Sequence, residues 1–250
     1  NIADSIVAGQ FIGVNALAAI GSTGSLMFFV TGWLNGLSSG FAILVSQWFG
    51  AKQYDRMRHY VAMSVYLSVI FAVLMTAGLF AANESILHFM NYSESIMPDV
   101  KQYMGIIYSG LIVTAAYNTL AAFLRALGDS RSPLYFLVIS AAINVALDIV
   151  FIVVFGMGVE GCAYATVIAQ GISAVLCFAY IVKRYPILHL TREDFRIEAG
   201  SLGRLLALGL PMGLQFSITA IGTVIVQGAV NIYGEVYMAG FSAAGKLQNM

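Results

Sequence analysis

The chain has 250 residues, of which 60% are hydrophobic and 10% charged, and its formal net charge is zero. Its mean hydropathy is +0.85, whereas about a quarter of the residues of a typical soluble domain are charged. This composition excludes an ordinary soluble domain, and the lack of a basic excess argues against nucleic acid as a partner. It predicts an all-α, multi-pass protein embedded in a lipid bilayer.

Apolar windows separated by polar segments predict the helices in chain order. The second window is long for one span, so we expect it to tilt or to extend beyond the bilayer. Because the sequence opens with Asn1 inside an apolar segment, we expect the chain to be a fragment with a truncated first helix. The predicted helices cover residues 1–12, 17–49, 59–82, 100–124, 133–156, 161–182 and 206–232, and an eighth begins near residue 236.

The distribution of basic residues predicts the orientation. Ten of the twelve Lys and Arg residues lie in or beside the alternate connections 50–58, 125–132 and 183–204. Positively charged loops stay on the cytoplasmic side of a membrane. These connections, including the long segment after the sixth helix, are therefore expected to be cytoplasmic. The ten residues are Lys52, Arg56, Arg58, Arg125, Arg131, Lys183, Arg184, Arg192, Arg196 and Arg204.

An internal repeat predicts two related halves. The segment 6–20 resembles 225–241 when two residues are inserted, so that Gly13 aligns with Gly234. Six predicted helices separate the copies, so both would share one orientation, as in transporters built from parallel repeats. Glycines in the stretches GLSSG (36–40) and GVEGCAYA (158–165) also predict close contact between helices.

Three polar residues are predicted to lie at one depth in the membrane. Asp148 stands about nine residues before the turn 156–161, Thr166 a similar distance after it, and Asp4 about nine residues before a turn near Gly13. Nine helical residues span ~14 Å, about half of a ~30 Å hydrocarbon core. Asn144 shares a helix face with Asp148 one turn away. Asn118 is expected to lie deeper toward the cytoplasmic side.

Carboxylates inside a membrane mark ion or substrate pathways. Burial favours the neutral carboxyl, so these acids can bind a proton. With amide and hydroxyl oxygens nearby, the pocket can instead hold Na⁺, as oxygen-rich sites hold other hard cations. No other metal site, cofactor or catalytic triad is predicted, and Cys162 and Cys177 are expected to be packing residues. An enzymatic function is therefore not expected.

Several stretches resemble successive motifs of the multidrug and toxin extrusion (MATE) family, across essentially the whole chain and in the family's order. The pattern NVALD (144–148) is similar to the prokaryotic, DinF-like branch. The stretches are DSIVAGQFIGVNALAAIG (4–21), GFAILVSQWFGAKQYDRMR (40–58), LRALGDSRSP (124–133), INVALDIVFI (143–152) and GVEGCAYATVIAQ (158–170).

The resemblance implies a twelve-helix antiporter of two six-helix lobes that exports cationic or amphipathic organic compounds in exchange for H⁺ or Na⁺. Residues 1–184 would form the N-terminal lobe, 185–205 a cytoplasmic linker, and 206–250 the start of the second lobe. The protein would lie, as a monomer, in a bacterial or archaeal plasma membrane. The ion site that the resemblance implies comprises Asp4, Asn118, Asn144, Asp148 and Thr166.

Two other functions remain open. A lipid-linked oligosaccharide flippase of the same superfamily would carry cationic residues in its central cavity, and the predicted spans have almost none. A seven-helix receptor or a structural membrane module would not need a repeat or acids at a common depth.

Overall fold

The computed structural model describes residues 2–248, with side chains described for residues 4–245. The predicted all-helical architecture is confirmed, and no strand occurs in the described range. The helices are α1 (Ile2–Phe11), α2 (Val14–Ser22), α3 (Gly24–Gly50), α4 (Tyr54–Phe89), α5 (Met97–Ser109), α6 (Leu111–Ala126), α7 (Arg131–Ile149), α8 (Val159–Arg184), α9 (Ala199–Asn231) and α10 (Glu235–Gln248).

Five helical segments of the described residues are long and apolar enough to cross a membrane, or six if the bent pair α5–α6 counts as one span. The segments match the predicted windows with extended ends. The largest difference is α4, which extends beyond its predicted window at both ends. Helix α9 begins early, at Ala199, so the last part of the predicted 185–205 linker is helical.

Two predicted helices are interrupted. The long second window is divided at Thr23 into α2 and α3. The fourth window bends by 49° between α5 and α6. The bend lies at Gly110, where an added Cβ would be 2.4 Å from a methyl group of Val167 on α8. Close approach of α8 therefore requires glycine at this position.

At one end of the helices, polar contacts join the connections near residues 51–58, 127–132 and 185–201, which we call the basic end. Tyr185 donates a hydrogen bond to Asp129 at 3.2 Å. Partial burial opposes ionisation of Asp129, but hydrogen bonds from Ser132 and Tyr185 outweigh it and hold the pKa of this carboxyl below its usual range. The Arg58 Nε atom lies 3.5 Å from the Asp194 carboxylate. The connection after α8 is thus held against α4.

At the opposite end, which we call the acidic end, α9 and α10 contact the turn 90–96 between α4 and α5. Asn231 donates a buried hydrogen bond of 2.6 Å to the Met90 carbonyl. Ser93 donates one of 3.0 Å to Glu235. Because a buried carbonyl needs a donor, the Asn231 amide fixes the position of α9 against this turn.

Helices α3 and α9 pack backbone to backbone along paired glycines. A Cβ added to Gly40 would lie 2.6 Å from the Gly209 Cα atom, and one added to Gly36 would lie 2.7 Å from the Gly213 Cα atom. Residues four positions apart share a helix face, so each helix presents a small-residue stripe to the other. The close contact predicted from GLSSG is confirmed, with α9 as the partner.

The backbone also agrees with the internal repeat. Gly13 separates α1 from α2, and its aligned partner Gly234 separates α9 from α10. Both have positive φ angles, of 130° and 92°. Such angles favour glycine over other residues, so the two copies use glycine for the same turn.

Candidate functional site

Asp4 and Asp148 form the centre of the candidate site. Asp4 lies on α1 and Asp148 on α7, and each side chain is fully buried. The next residue on α7, Ile149, is 43% exposed. Helix α7 therefore turns an apolar face outward and aims its only carboxyl into the bundle, as expected for a functional acid in a membrane.

The environment of Asp148 offers little compensation for a negative charge. Neither of its oxygens has a hydrogen-bond partner of ordinary geometry among the described residues. The Asp4 carboxyl and the Cys162 thiol both lie close enough to interact with it. Like charges at short range cannot both ionise at low cost. The pair therefore favours a state in which at least one of the two acids is neutral.

Thr166 on α8 joins the acid on α1 to the amide on α7. Its hydroxyl donates to the Asp4 Oδ2 atom at 3.1 Å and accepts from the Asn144 Nδ2 atom at 3.4 Å. The structure thus brings together Asp4, Asp148, Asn144 and Thr166 from three helices, as the depth argument predicts. Their oxygen atoms could accept a proton or coordinate a monovalent cation.

Asn118 occupies a different position from the other predicted site residues. It lies on α6 and lines a cavity of about 310 Å³ that Thr166 also borders. The cavity walls come from α3, α5, α6, α8 and α9. Its polar lining residues are Thr31, Asn35, Thr114, Asn118, Thr166 and Gln170. Thr166 therefore stands between the buried acids and an adjacent polar cavity.

Two residues of the cluster are not predicted to belong to it: Tyr103, and Cys162, which the sequence predicts to be a packing residue. The Cys162 thiol lies 3.9 Å from the Asp4 backbone carbonyl. Tyr103 on α5 is 1% exposed and lies close enough to interact with both acids. Both could have been identified from their spacing. Cys162 precedes Thr166 by one helical turn. Tyr103 is separated from the turn at 90–96 by about as many residues as Asp4 is from the turn near Gly13.

Replacing Thr166 with valine should destabilise the protein. The change keeps the side-chain shape but removes the hydroxyl between Asp4 and Asn144. A typical hydrogen bond contributes about 0.5–1.5 kcal/mol, and the Thr166 hydroxyl takes part in two, so we expect a fall in the unfolding temperature in detergent.

Thr223→Val on α9 is the matched control, because the Thr223 hydroxyl donates to the Ala220 carbonyl of its own helix. Equal unfolding temperatures for the two variants would contradict a bridging role for Thr166.

The sequence profile of the MatE family matches residues 1–150. The probable multidrug resistance protein YpnP of Bacillus subtilis is 30% identical over 247 residues, which cover 99% of this chain and 55% of that protein. YoeA, another probable multidrug resistance protein of B. subtilis, is 29% identical over 96% of this chain and 53% of its own length. The chain thus spans about half the length of the curated relatives it matches.

A solved structure of the inward-facing conformation of a multidrug resistance MATE family transporter superposes with a TM-score of 0.91. It is 25% identical, and the match covers 98% of this chain and 56% of that chain. The helices described above are therefore about half of a MATE transporter fold, and the family consists of membrane transporters rather than enzymes. The chain belongs to the MatE family of multidrug efflux transporters.

Proposed function

We propose that the protein exports small cationic or amphipathic organic compounds in exchange for H⁺ or Na⁺, and that Asp4 and Asp148 carry the coupling ion. The observation that carries this proposal is the meeting of two fully buried acids from different helices. A site of this kind has a different charge when it is empty and when it is loaded.

Coupling requires that ion binding favour one helix packing over another. Loading would lower the charge of the acid pair and allow α1, α7 and α8 to remain close together. Release would leave buried charge, which is costly in a membrane and would favour a rearrangement that hydrates the site. Thr166 lies at the boundary with the polar cavity, so such a rearrangement would reach the space proposed for substrate.

The proposal also includes a division into lobes and an orientation. Residues 1–184 would form the first lobe, and α9 and α10 would begin the second. The basic end would face the cytoplasm, because ten of the twelve Lys and Arg residues lie there or close by.

The character of the cavity favours an exporter of organic cations over a lipid-linked oligosaccharide flippase. The cavity beside Thr166 is lined by amides, hydroxyls and apolar side chains, and among residues 4–245, whose side chains the structure describes, no Lys or Arg lines it. Recognition of a pyrophosphate group would need such cations. Phe28 and Phe216 also border the cavity and would suit an aromatic organic cation.

Flux measurements in proteoliposomes test the proposal. The protein is reconstituted, and transport of a fluorescent organic cation such as ethidium is followed under an imposed H⁺ gradient or, separately, an imposed Na⁺ gradient. We expect one gradient to accelerate uphill movement of the dye, and that gradient identifies the coupling ion. Equal dye movement with and without both gradients would contradict the proposal.

A further inference from the structure

A second cavity, of about 470 Å³, lies at the basic end and shares no lining residue with the cavity beside Thr166. It is formed by the end of α3, the start of α4 and the start of α9. Its volume falls within the roughly 300–1,000 Å³ typical of small-ligand sites. Trp48, Arg56, His59, Tyr60, Glu198 and Arg204 are among its lining residues.

The acids of this cavity are already engaged. Asp55 is paired with Arg58. Glu198 accepts a hydrogen bond of 2.9 Å from Ser201 and lies 3.3 Å from the His59 Nε2 atom. These contacts give the two carboxylates partners other than Arg56 and Arg204.

The two arginines of the cavity remain available. Among the described residues, neither Arg56 nor Arg204 has an acidic group within 4.0 Å. The Arg56 guanidinium lies 4.8 Å above the Trp48 ring, and Arg204 contacts the Tyr60 hydroxyl at 3.5 Å. Aromatic contacts hold both guanidiniums in place without neutralising them.

The aromatic residues set the level of this cavity in the membrane. The Trp48 and Tyr60 rings are stacked with centroids 6.0 Å apart, and the Trp48 indole N–H is buried without a partner among the described residues. Tryptophan and tyrosine are enriched where bilayer and water meet. The cavity therefore lies at the depth of lipid headgroups.

We propose that this cavity binds the phosphate group of an anionic phospholipid between Arg56 and Arg204. Guanidinium groups match the geometry of phosphate oxygens, and basic pockets between transmembrane helices are known to hold anionic headgroups. Because Arg56 belongs to α4 and Arg204 to α9, the bound lipid would connect the first six-helix unit to the helix that follows it. This inference depends on the membrane location and not on the proposed export.

Fluorescence of Trp48 tests the site directly. The chain has two tryptophans, so a Trp33→Phe variant leaves Trp48 as the reporter. The detergent-solubilised variant is titrated with dihexanoyl phosphatidylglycerol, dihexanoyl phosphatidylcholine and inorganic phosphate. We expect a saturable change with phosphatidylglycerol and weaker binding of the other two.

Adding Arg56→Gln and Arg204→Gln should weaken phosphatidylglycerol binding by about ten-fold to a hundred-fold, because each arginine supplies charge-assisted hydrogen bonds. Arg192→Gln with Arg196→Gln is the matched control, since these exposed arginines lie at the same end and outside the cavity. Similar weakening by both pairs, or no saturable change in the parent, would overturn the site. Equal affinity for inorganic phosphate would overturn the assignment to a lipid.

Discussion

Replacing Asp148 with asparagine is expected to abolish ion-coupled export while the protein remains folded. Asparagine has nearly the same shape as aspartate, but it can neither bind a proton nor neutralise a cation. The loaded and empty states would then carry the same charge at this position, so the ion could no longer favour one packing over the other. Coupling energies in proteins correspond to about 5- to 150-fold effects, so their loss should reduce gradient-driven flux to the rate measured without a gradient.

The same substitution should leave the unfolding temperature unchanged or raise it. The Asp148 oxygens are buried without hydrogen-bond partners of ordinary geometry among the described residues, and the nearby Asp4 carboxyl opposes a second charge. A neutral amide removes that repulsion, whereas disruption of the fold would lower stability. Thermal unfolding in detergent therefore separates a defect in coupling from a defect in folding.

Glu193→Gln is the matched control for this experiment, because Glu193 is an exposed acid in the connection at the basic end. Both variants are compared in proteoliposomes with and without an imposed H⁺ or Na⁺ gradient. Gradient-driven export by Asp148→Asn at the rate of the Glu193→Gln control would refute the role of Asp148.

The contact between Asp4 and Thr166 could be predicted because helix geometry converts distance from a turn into depth. The glycines that make these turns are visible in the sequence, as Gly13 and Gly156 illustrate with their positive φ angles. Polar side chains surrounded by lipid need polar partners, so those at equal depth on neighbouring helices are expected to contact one another.

Other features depend on contacts that the sequence does not specify. The need for glycine at position 110, where the helix bends, follows from the position of Val167 on a different helix. A short π-helical segment, Val150–Val154, directly follows α7 just beyond Asp148. Segments of this kind are frequent at functional sites, but a continuous apolar run gives no sign of the change in hydrogen bonding. Packing between helices, rather than local sequence, determines both features.

The pairing of α3 with α9 shows the same limit. The glycine spacing of α3 predicts a close helix contact, and Gly209 and Gly213 give α9 a similar spacing. Neither stretch predicts that α3 packs against α9, or that Gly40 lies opposite Gly209. That register is established by the fold as a whole.

Substituting Gly40 with alanine should therefore destabilise the protein strongly. The added Cβ would lie 2.6 Å from the Gly209 Cα atom, 2.7 Å from the Leu208 carbonyl oxygen and 2.9 Å from the Gly209 nitrogen. All three are backbone atoms of α9, so no side-chain rotation can relieve the overlap. Overpacking of this kind costs about 1–3 kcal/mol, and α9 must move away from α3.

Gly78→Ala provides a control with the opposite expected sign. Gly78 lies inside α4, and an added Cβ there would have no atom of another described helix within 4 Å. Alanine favours the helix over glycine by about 1 kcal/mol, so Gly78→Ala should unfold at the same or a higher temperature. Gly40→Ala gains the same helix propensity, and any loss of stability must therefore come from the contact with α9. If both variants unfold at the same temperature in detergent, the backbone contact between α3 and α9 does not hold these helices together.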